Sequence, residues 1–85
     1  MNKYKIISYI PNEELIISFI PNEELGEEVR RDYDFISNDK NNFNERVERL
    51  RGYVGDFNAV EEHNSNEKYL IEEDNDGLYL LEKID

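Results

Sequence analysis

Residues 6–25 read IISYIPNEEL followed directly by IISFIPNEEL, so one ten-residue unit occurs twice in succession. The two copies, 6–15 and 16–25, differ only where Tyr9 in the first corresponds to Phe19 in the second. Two copies are too few for a solenoid, in which at least three stacked repeats bury a continuous core. The repeat therefore indicates a local duplication inside one small domain.

The first half of each copy consists mainly of β-branched and aromatic residues, which favour strands. The proline and the acids that follow interrupt a strand, because proline has no N–H to donate to a ladder. We therefore predict that residues 5–10 and 15–20 pair as a β-hairpin whose loop is Pro11 to Glu14. In this register Tyr9 faces Ile16 across the two strands.

The second Pro-Asn-Glu-Glu segment is predicted to start a helix instead. It is followed at helical spacing by Leu25, Val29, Tyr33 and Ile36, which predicts a helix over 22–36 with Asn22 as its N-cap. The same residues would then form a turn in one copy and a helix start in the other. In the alternative interpretation both copies form the same turn, and the helix begins near Glu27.

The remaining sequence predicts a second helix and a C-terminal hairpin. Residues 43–51 carry apolar side chains at helical spacing between Asn42, a good N-cap, and Gly52. Residues 53–60 fit either a strand or a loose helical turn, and 61–67 are predicted to form a polar loop. Strands at 68–73 and 78–84 flank a turn ending in Gly77. The predicted order is β-β-α-α-(β)-β-β, a single α+β domain (1–85) with two helices on one face of an antiparallel sheet.

Composition restricts both the location and the partners. The 85 residues carry a net charge of −11 and no cysteine, which excludes disulfide scaffolds and fits a reducing compartment. No apolar run approaches the roughly 20 residues of a membrane span, and the N-terminus does not resemble a signal peptide. We expect a protein of the bacterial cytoplasm, encoded by the host or a phage.

The net negative charge disfavours direct binding to nucleic acid or to anionic membranes. It favours a basic protein surface as the partner. In the alternative interpretation, the acidity only keeps a small domain soluble.

Side chains that support catalysis are scarce. His63 is the one histidine, and a lone histidine in a polar loop is more typical of solvated surface than of a catalyst. Aligned with a calcium-binding EF-hand loop, Glu72, Asp74 and Asp76 occupy positions 1, 3 and 5. Lys83, however, stands where the closing glutamate is required. The sequence therefore predicts no enzyme activity, no metal and no cofactor.

Acidic residues cluster towards both ends of the chain. Residues 11–28 contain six glutamates and no basic residue, and 56–85 contain ten acids against Lys68 and Lys83. If the two hairpins share one sheet, their acidic turns meet on one rim, where spaced carboxylates and tyrosines imitate a nucleic-acid backbone. The predicted partner-binding residues are Glu13, Glu14, Glu23, Glu24, Tyr69, Asp74, Asp76 and Tyr79.

In size, charge and lack of catalytic groups the chain resembles nucleic-acid-mimicking inhibitors made by phages and mobile elements, such as uracil-DNA glycosylase inhibitor and some anti-CRISPR proteins. The resemblance is one of class and rests on no shared motif. The leading hypothesis is a non-enzymatic inhibitor that binds a basic groove of a nucleic-acid-acting protein.

Two alternatives remain open at the level of sequence. One is an antitoxin or immunity protein that neutralises a basic toxin. The other is a homo-oligomeric accessory domain whose duplicated strand is an assembly edge. If the second copy is a late insertion, deletion of residues 16–25 should leave a folded domain.

Overall fold

A computed structural model describes residues 1–20, 22–55 and 57–85. In these residues the strands are β1 (Asn2–Pro11), β2 (Val60–His63), β3 (Tyr69–Glu73) and β4 (Gly77–Lys83), and the helices are α1 (Glu13–Phe19), α2 (Glu23–Asn38) and α3 (Phe43–Arg51). The predicted α+β class, with helices packed on an antiparallel sheet, is confirmed. None of the helices in the described ranges combines the length and the apolar character needed to cross a bilayer.

The sheet has the strand order β2-β1-β4-β3, and each pair of neighbours is antiparallel. The predicted C-terminal hairpin is confirmed as β3 and β4, with Leu70 opposite Leu81. Gly77 is required where this hairpin meets β1, because a Cβ at this position would lie 2.0 Å from the carbonyl oxygen of Ile10. The turn between β3 and β4 is therefore pressed against the end of β1.

The predicted N-terminal hairpin is wrong. Residues 13–19 form α1 rather than a strand, and β1 has β4 on one side and β2 on the other. The side chain of Asn12 accepts a hydrogen bond from the backbone N–H of Leu15 at 2.9 Å, and that of Asn22 accepts one from Glu24 at 2.9 Å. In both copies the asparagine thus caps a helix that begins at the next glutamate, so the alternative with two identical turns is wrong as well.

The later elements lie close to their predicted positions. Helix α2 begins after Asn22 as predicted, and α3 spans the predicted residues 43–51. The Asn42 side chain makes no capping hydrogen bond to α3; its amide donates to Asp39 Oδ2 at 2.7 Å. Strand β2 occupies 60–63, part of the predicted polar loop.

The segment before β2 is neither a full strand nor a helix. The backbone N–H of Tyr9 donates to the carbonyl of Tyr53, and that of Ile6 donates to Ala59, both at 3.2 Å. The segment therefore follows the edge of β1 without forming a continuous ladder. Asp56 of this segment, and Pro21 of the second repeat copy, lie outside the described residues.

A β-bulge in β1 gives the sheet two cores. The register shifts between Ile6 and Ser8, so side chains before and after the bulge that would share a face lie on opposite faces. The helix-covered face contains the main cluster, formed by Ile10, Ile16, Val29, Ile36, Val47, Leu50, Leu78 and Leu80. The opposite face contains a smaller cluster of Tyr4, Ile6 and Leu81, against which Phe57 and Ala59 pack.

Candidate acidic binding surface

Asn12 joins three elements at one end of the sheet. Its side-chain oxygen caps α1, and its backbone N–H donates to the carbonyl of Asp76 at 2.8 Å. Its side-chain amide also donates to the carbonyl of Asn75. The start of α1 is therefore held against the turn between β3 and β4, which brings the acids of both elements together.

The turn is held in shape by one of its own acids. Asp74 Oδ1 accepts hydrogen bonds from the backbone N–H groups of Asp76 at 2.8 Å and Gly77 at 3.1 Å. The hydroxyl of Tyr9 donates to the carbonyl of Asp76 at 2.9 Å. The exposed carboxylates at this end form a group that we call the acidic end: Glu13, Glu14, Glu73, Asp74 and Asp76.

The acids raise the pKa values of two tyrosines on adjacent strands, Tyr9 on β1 and Tyr79 on β4. The ring centroids of Tyr9 and Tyr79 lie 4.9 Å apart. Burial raises the pKa of the Tyr9 phenol first, and the negative charges of Asp76 and Asp74 raise it further. Burial likewise raises the pKa of Tyr79, followed by the charge of Asp74. Both phenols therefore remain protonated hydrogen-bond donors at neutral pH.

The acids also raise the pKa of a third tyrosine, which lies in the helical layer. The pKa of Tyr33, on α2, is raised by burial and then by the charges of Glu73 and Glu13, with a smaller effect of Asp74. Tyr33 is thus close enough to interact electrostatically with acids of α1, β3 and the β3–β4 turn. Three elements that are distant in sequence contribute negative charge to one region.

The arginines neutralise a different part of the molecule. Each of their ion pairs in the described residues joins an acid of α2 or α3: Arg31 with Glu27, Arg49 with Asp32 and Glu45, and Arg51 with Glu48. At the acidic end, the one ion pair found among described residues joins Lys40 to Glu73 at 3.9 Å, between exposed side chains. Such a pair contributes little, about 0–1 kcal/mol, so the acidic end keeps most of its charge.

The contrast between acids paired with arginines and the acids of the acidic end is clearest in the cleft of about 240 Å³ between α2 and the end of α3. There Asp32 accepts hydrogen bonds from Arg49 at 2.7 Å and from the Tyr53 hydroxyl at 2.5 Å. The Arg49 guanidinium also stacks 4.2 Å from the ring centroid of Phe35. Each carboxylate oxygen of the half-buried Asp32 thus accepts a hydrogen bond from a neighbouring side chain, which favours a structural role.

The structure divides the predicted binding residues into two groups. It brings together Glu13, Glu14, Asp74, Asp76 and Tyr79. Glu23 and Glu24 lie elsewhere, because ten residues of helix, about 15 Å, separate Glu23 from Tyr33. Tyr69 lies beside Arg51 and Lys68, at 5.8 and 5.3 Å from its ring centroid.

Sequence reasoning missed Tyr9, Tyr33 and Glu73 as neighbours of this surface. Tyr9 carried a usable signal, since it is the one position at which the two repeat copies differ. Tyr33 and Glu73 carried none, because their proximity depends on how α2 packs beside β3. The prediction that His63 lies in a solvated loop is wrong, since His63 is half-buried in β2.

No family model matches this chain, and no curated protein or solved structure is detectably similar to it.

Proposed function

We propose that this protein is a small acidic, non-enzymatic inhibitor that binds a basic surface of a nucleic-acid-acting protein. The observation that supports the proposal is the acidic end, where exposed carboxylates converge and where one weak ion pair, from Lys40, is found among the described residues. The proposed mode of action is nucleic-acid mimicry, in which these carboxylates occupy positions that phosphates take in the partner's groove. The proposed setting is the cytoplasm of a bacterial host, with a phage gene as the source.

Rigidity favours this use of the surface. The backbone that carries the acids is held by the hydrogen bonds of Asn12 and Asp74, so binding costs little of the entropy that ordering a loop would require. The uncompensated charge accelerates the encounter with a basic groove. Tyr9 and Tyr79 add aromatic surface and protonated hydroxyls beside the acids.

An antitoxin or immunity protein would use the same surface, and the identity of the partner separates it from an inhibitor of a nucleic-acid enzyme. The homo-oligomeric alternative assumed that the duplicated segment forms an exposed strand. Residues 16–19 of the second copy instead form the end of α1, so that alternative loses its basis.

Displacement of proteins from immobilised DNA tests the proposal. A bacterial lysate is bound to a DNA column at low salt, this protein is passed over it, and the released proteins are identified by mass spectrometry. The acidic-end variant is E13Q/E14Q/D74N/D76N, in which asparagine at 74 keeps the side-chain oxygen that the turn requires. The control variant, E23Q/E24Q/E27Q/E28Q, loses the same charge from α2.

We expect the wild type and the control variant to release a defined set of nucleic-acid-binding proteins. The acidic-end variant should release at least about tenfold less, because the loss of several charge contacts multiplies. Release should also fall steeply as salt shortens the screening length. Equal release by both variants, no release by the wild type, or a flat response to salt would contradict the proposal.

A further inference from the structure

Three potential metal ligands meet on the sheet face opposite the helices. The Nε2 atom of His63 lies 2.9 Å from Glu61 Oε1 and 2.9 Å from Glu72 Oε1. Donor atoms of all three residues lie within 4.8 Å of one another, and all three side chains are half-buried. Glu61 and His63 are two residues apart on β2 and so project to the same face, whereas Glu72 comes from β3.

This meeting is unexpected from the strand order alone. β2 and β3 are the two outer strands of the sheet, and in a flat sheet three strand spacings separate them by about 14 Å. The sheet must therefore curve around the small core of Tyr4 and Leu81 until its edges approach. The bulge in β1 supplies such a bend.

The contacts of His63 favour a cation at the centre of the cluster. One imidazole N–H cannot point directly at two carboxylates, yet both carboxylates approach the same nitrogen. Around a tetrahedral ion with bonds of about 2.0–2.2 Å, neighbouring donors are about 3.3–3.6 Å apart. The 2.9 Å separations of His63 Nε2 from the two carboxylate oxygens therefore need to widen by only about 0.4–0.7 Å to admit the ion.

We propose that Glu61, His63 and Glu72 bind a divalent transition-metal ion of the zinc type, which joins the two outer strands of the sheet. An imidazole ligand favours zinc and its neighbours over calcium and magnesium, which prefer oxygen ligands alone. Three protein ligands leave a further position for water.

The ligands are positioned by contacts that do not depend on a metal. The ring of Tyr4 packs edge-to-face against His63 at a centroid distance of 5.6 Å. The Tyr4 hydroxyl donates to the carbonyl of Glu67 at 2.5 Å, and the Asn2 side chain donates to that of Ser65 at 2.6 Å. The loop after β2 is thus fixed on β1, so the metal acts as a clasp on a formed sheet rather than as a condition of folding.

Thermal unfolding with added zinc chloride, and separately with magnesium chloride, tests the site. The variants are His63→Gln and Glu72→Gln. The control is Glu62→Gln, which removes an exposed acid from β2 whose side chain points to the other face. Because His63 is the one histidine in the chain, its imidazole NMR signals in the wild type report occupancy independently of any variant.

Zinc at about fivefold its dissociation constant should raise the Tm of the wild type and of Glu62→Gln by about 4–8 °C. It should also shift the His63 signals, and it should leave the Tm of His63→Gln and Glu72→Gln unchanged. Three outcomes would overturn the proposal: unaltered His63 signals, an equal rise in Tm with magnesium, or a zinc effect that survives in His63→Gln.

Discussion

The two copies of the repeat are nearly identical in sequence and differ in structure. In the first copy, residues 6–10 lie in the second half of β1, between β4 and the segment that leads into β2. In the second copy, residues 16–19 complete α1. Ile10 is fully buried, while Ile20, the corresponding residue of the second copy, is half-buried.

The difference follows from what each copy can pair with. β1 already has a neighbour on each side, so the second copy finds no free edge beside it. The second copy also follows a capped helix start, and helix nucleation is the costly step. Extending α1 through β-branched residues then costs at most about 0.7 kcal/mol per residue. Tertiary context therefore decides between two structures for five-residue segments that differ only in Tyr9 and Phe19.

The same difference places two identical acidic pairs in different surroundings. Glu13 and Glu14 begin α1 beside the β3–β4 turn, and Glu23 and Glu24 begin α2 at its far end from Tyr33. Each pair follows a capping asparagine, so the pairs match in everything except location.

Deletion of residues 16–25 should give the largest effect. The end of β1 and Tyr33 of α2 both lie at the acidic end, so α1 carries the chain away and α2 brings it back. Without the second copy, α2 would start at the acidic end and run in the opposite direction. We expect loss of the cooperative urea transition, measured by circular dichroism. A wild-type transition midpoint would instead support a late, dispensable insertion.

The second-largest effect is expected from replacing Ile10 or Ile20, which occupy the same position in the two copies. Ile10→Ala removes a fully buried side chain from the main core and should cost about 2–5 kcal/mol of unfolding free energy. Ile20→Ala, at a half-buried position, should cost about 1 kcal/mol. Equal costs in urea denaturation would show that the two isoleucines do not differ in packing.

The capping asparagines should differ by a smaller amount. Asn22→Ala should cost about 1 kcal/mol, the usual value of an N-cap. Asn12→Ala should cost about 2 kcal/mol, because its side-chain amide also donates to Asn75. The unfolding free energies of the wild type and of both variants, measured at one pH, give the two costs. A larger cost for Asn22→Ala than for Asn12→Ala would contradict the role of Asn12 as the link between α1 and the turn.

The tyrosine that distinguishes the copies should give the smallest effect. Tyr9→Phe removes the hydrogen bond to Asp76 and should cost about 1 kcal/mol, whereas Phe19→Tyr, at a side chain that is 71% exposed, should be neutral. Because the folded pKa of Tyr9 lies above its ordinary value of 10.0, the unfolded chain ionises first, and stability falls as pH rises beyond 10. The fall should be shallower in Tyr9→Phe; an unchanged slope would exclude this contribution.

Local patterns in the sequence identified the elements whose neighbours are also local. Asn22 and the spacing of Val29 and Ile36 defined α2, and Gly77 defined the β3–β4 turn. The β-branched and aromatic residues of 16–20 led to the wrong prediction of a strand, because their secondary structure depends on whether β1 has a free edge. No local pattern carries that information.

The binding surface was predictable in part for the same reason. Asp74 and Asp76 were identified through their turn, and Glu13 and Glu14 through their charge. Their meeting depends on the pairing of Pro11 with Gly77. Glu23 and Glu24 were included because sequence cannot separate two identical segments. The approach of His63 to Glu72 depends on sheet curvature, which follows from no residue pattern in β2 or β3.

The matched acidic pairs allow the most direct test of the acidic end. A ten-residue lysine peptide is titrated calorimetrically at about 0.1 M salt, where the screening length is about 10 Å. The titrated proteins are the wild type, E13Q/E14Q and E23Q/E24Q, and each variant loses two charges from the first turn of a capped helix. Loss of two contributing charges at about 0.5–1 kcal/mol each should weaken binding by about fivefold to thirtyfold. We predict this loss for E13Q/E14Q. For E23Q/E24Q we predict less than about twofold weakening, because Glu23 and Glu24 lie farther than one screening length from the acidic end. Equal weakening of both variants would contradict a localised acidic binding surface.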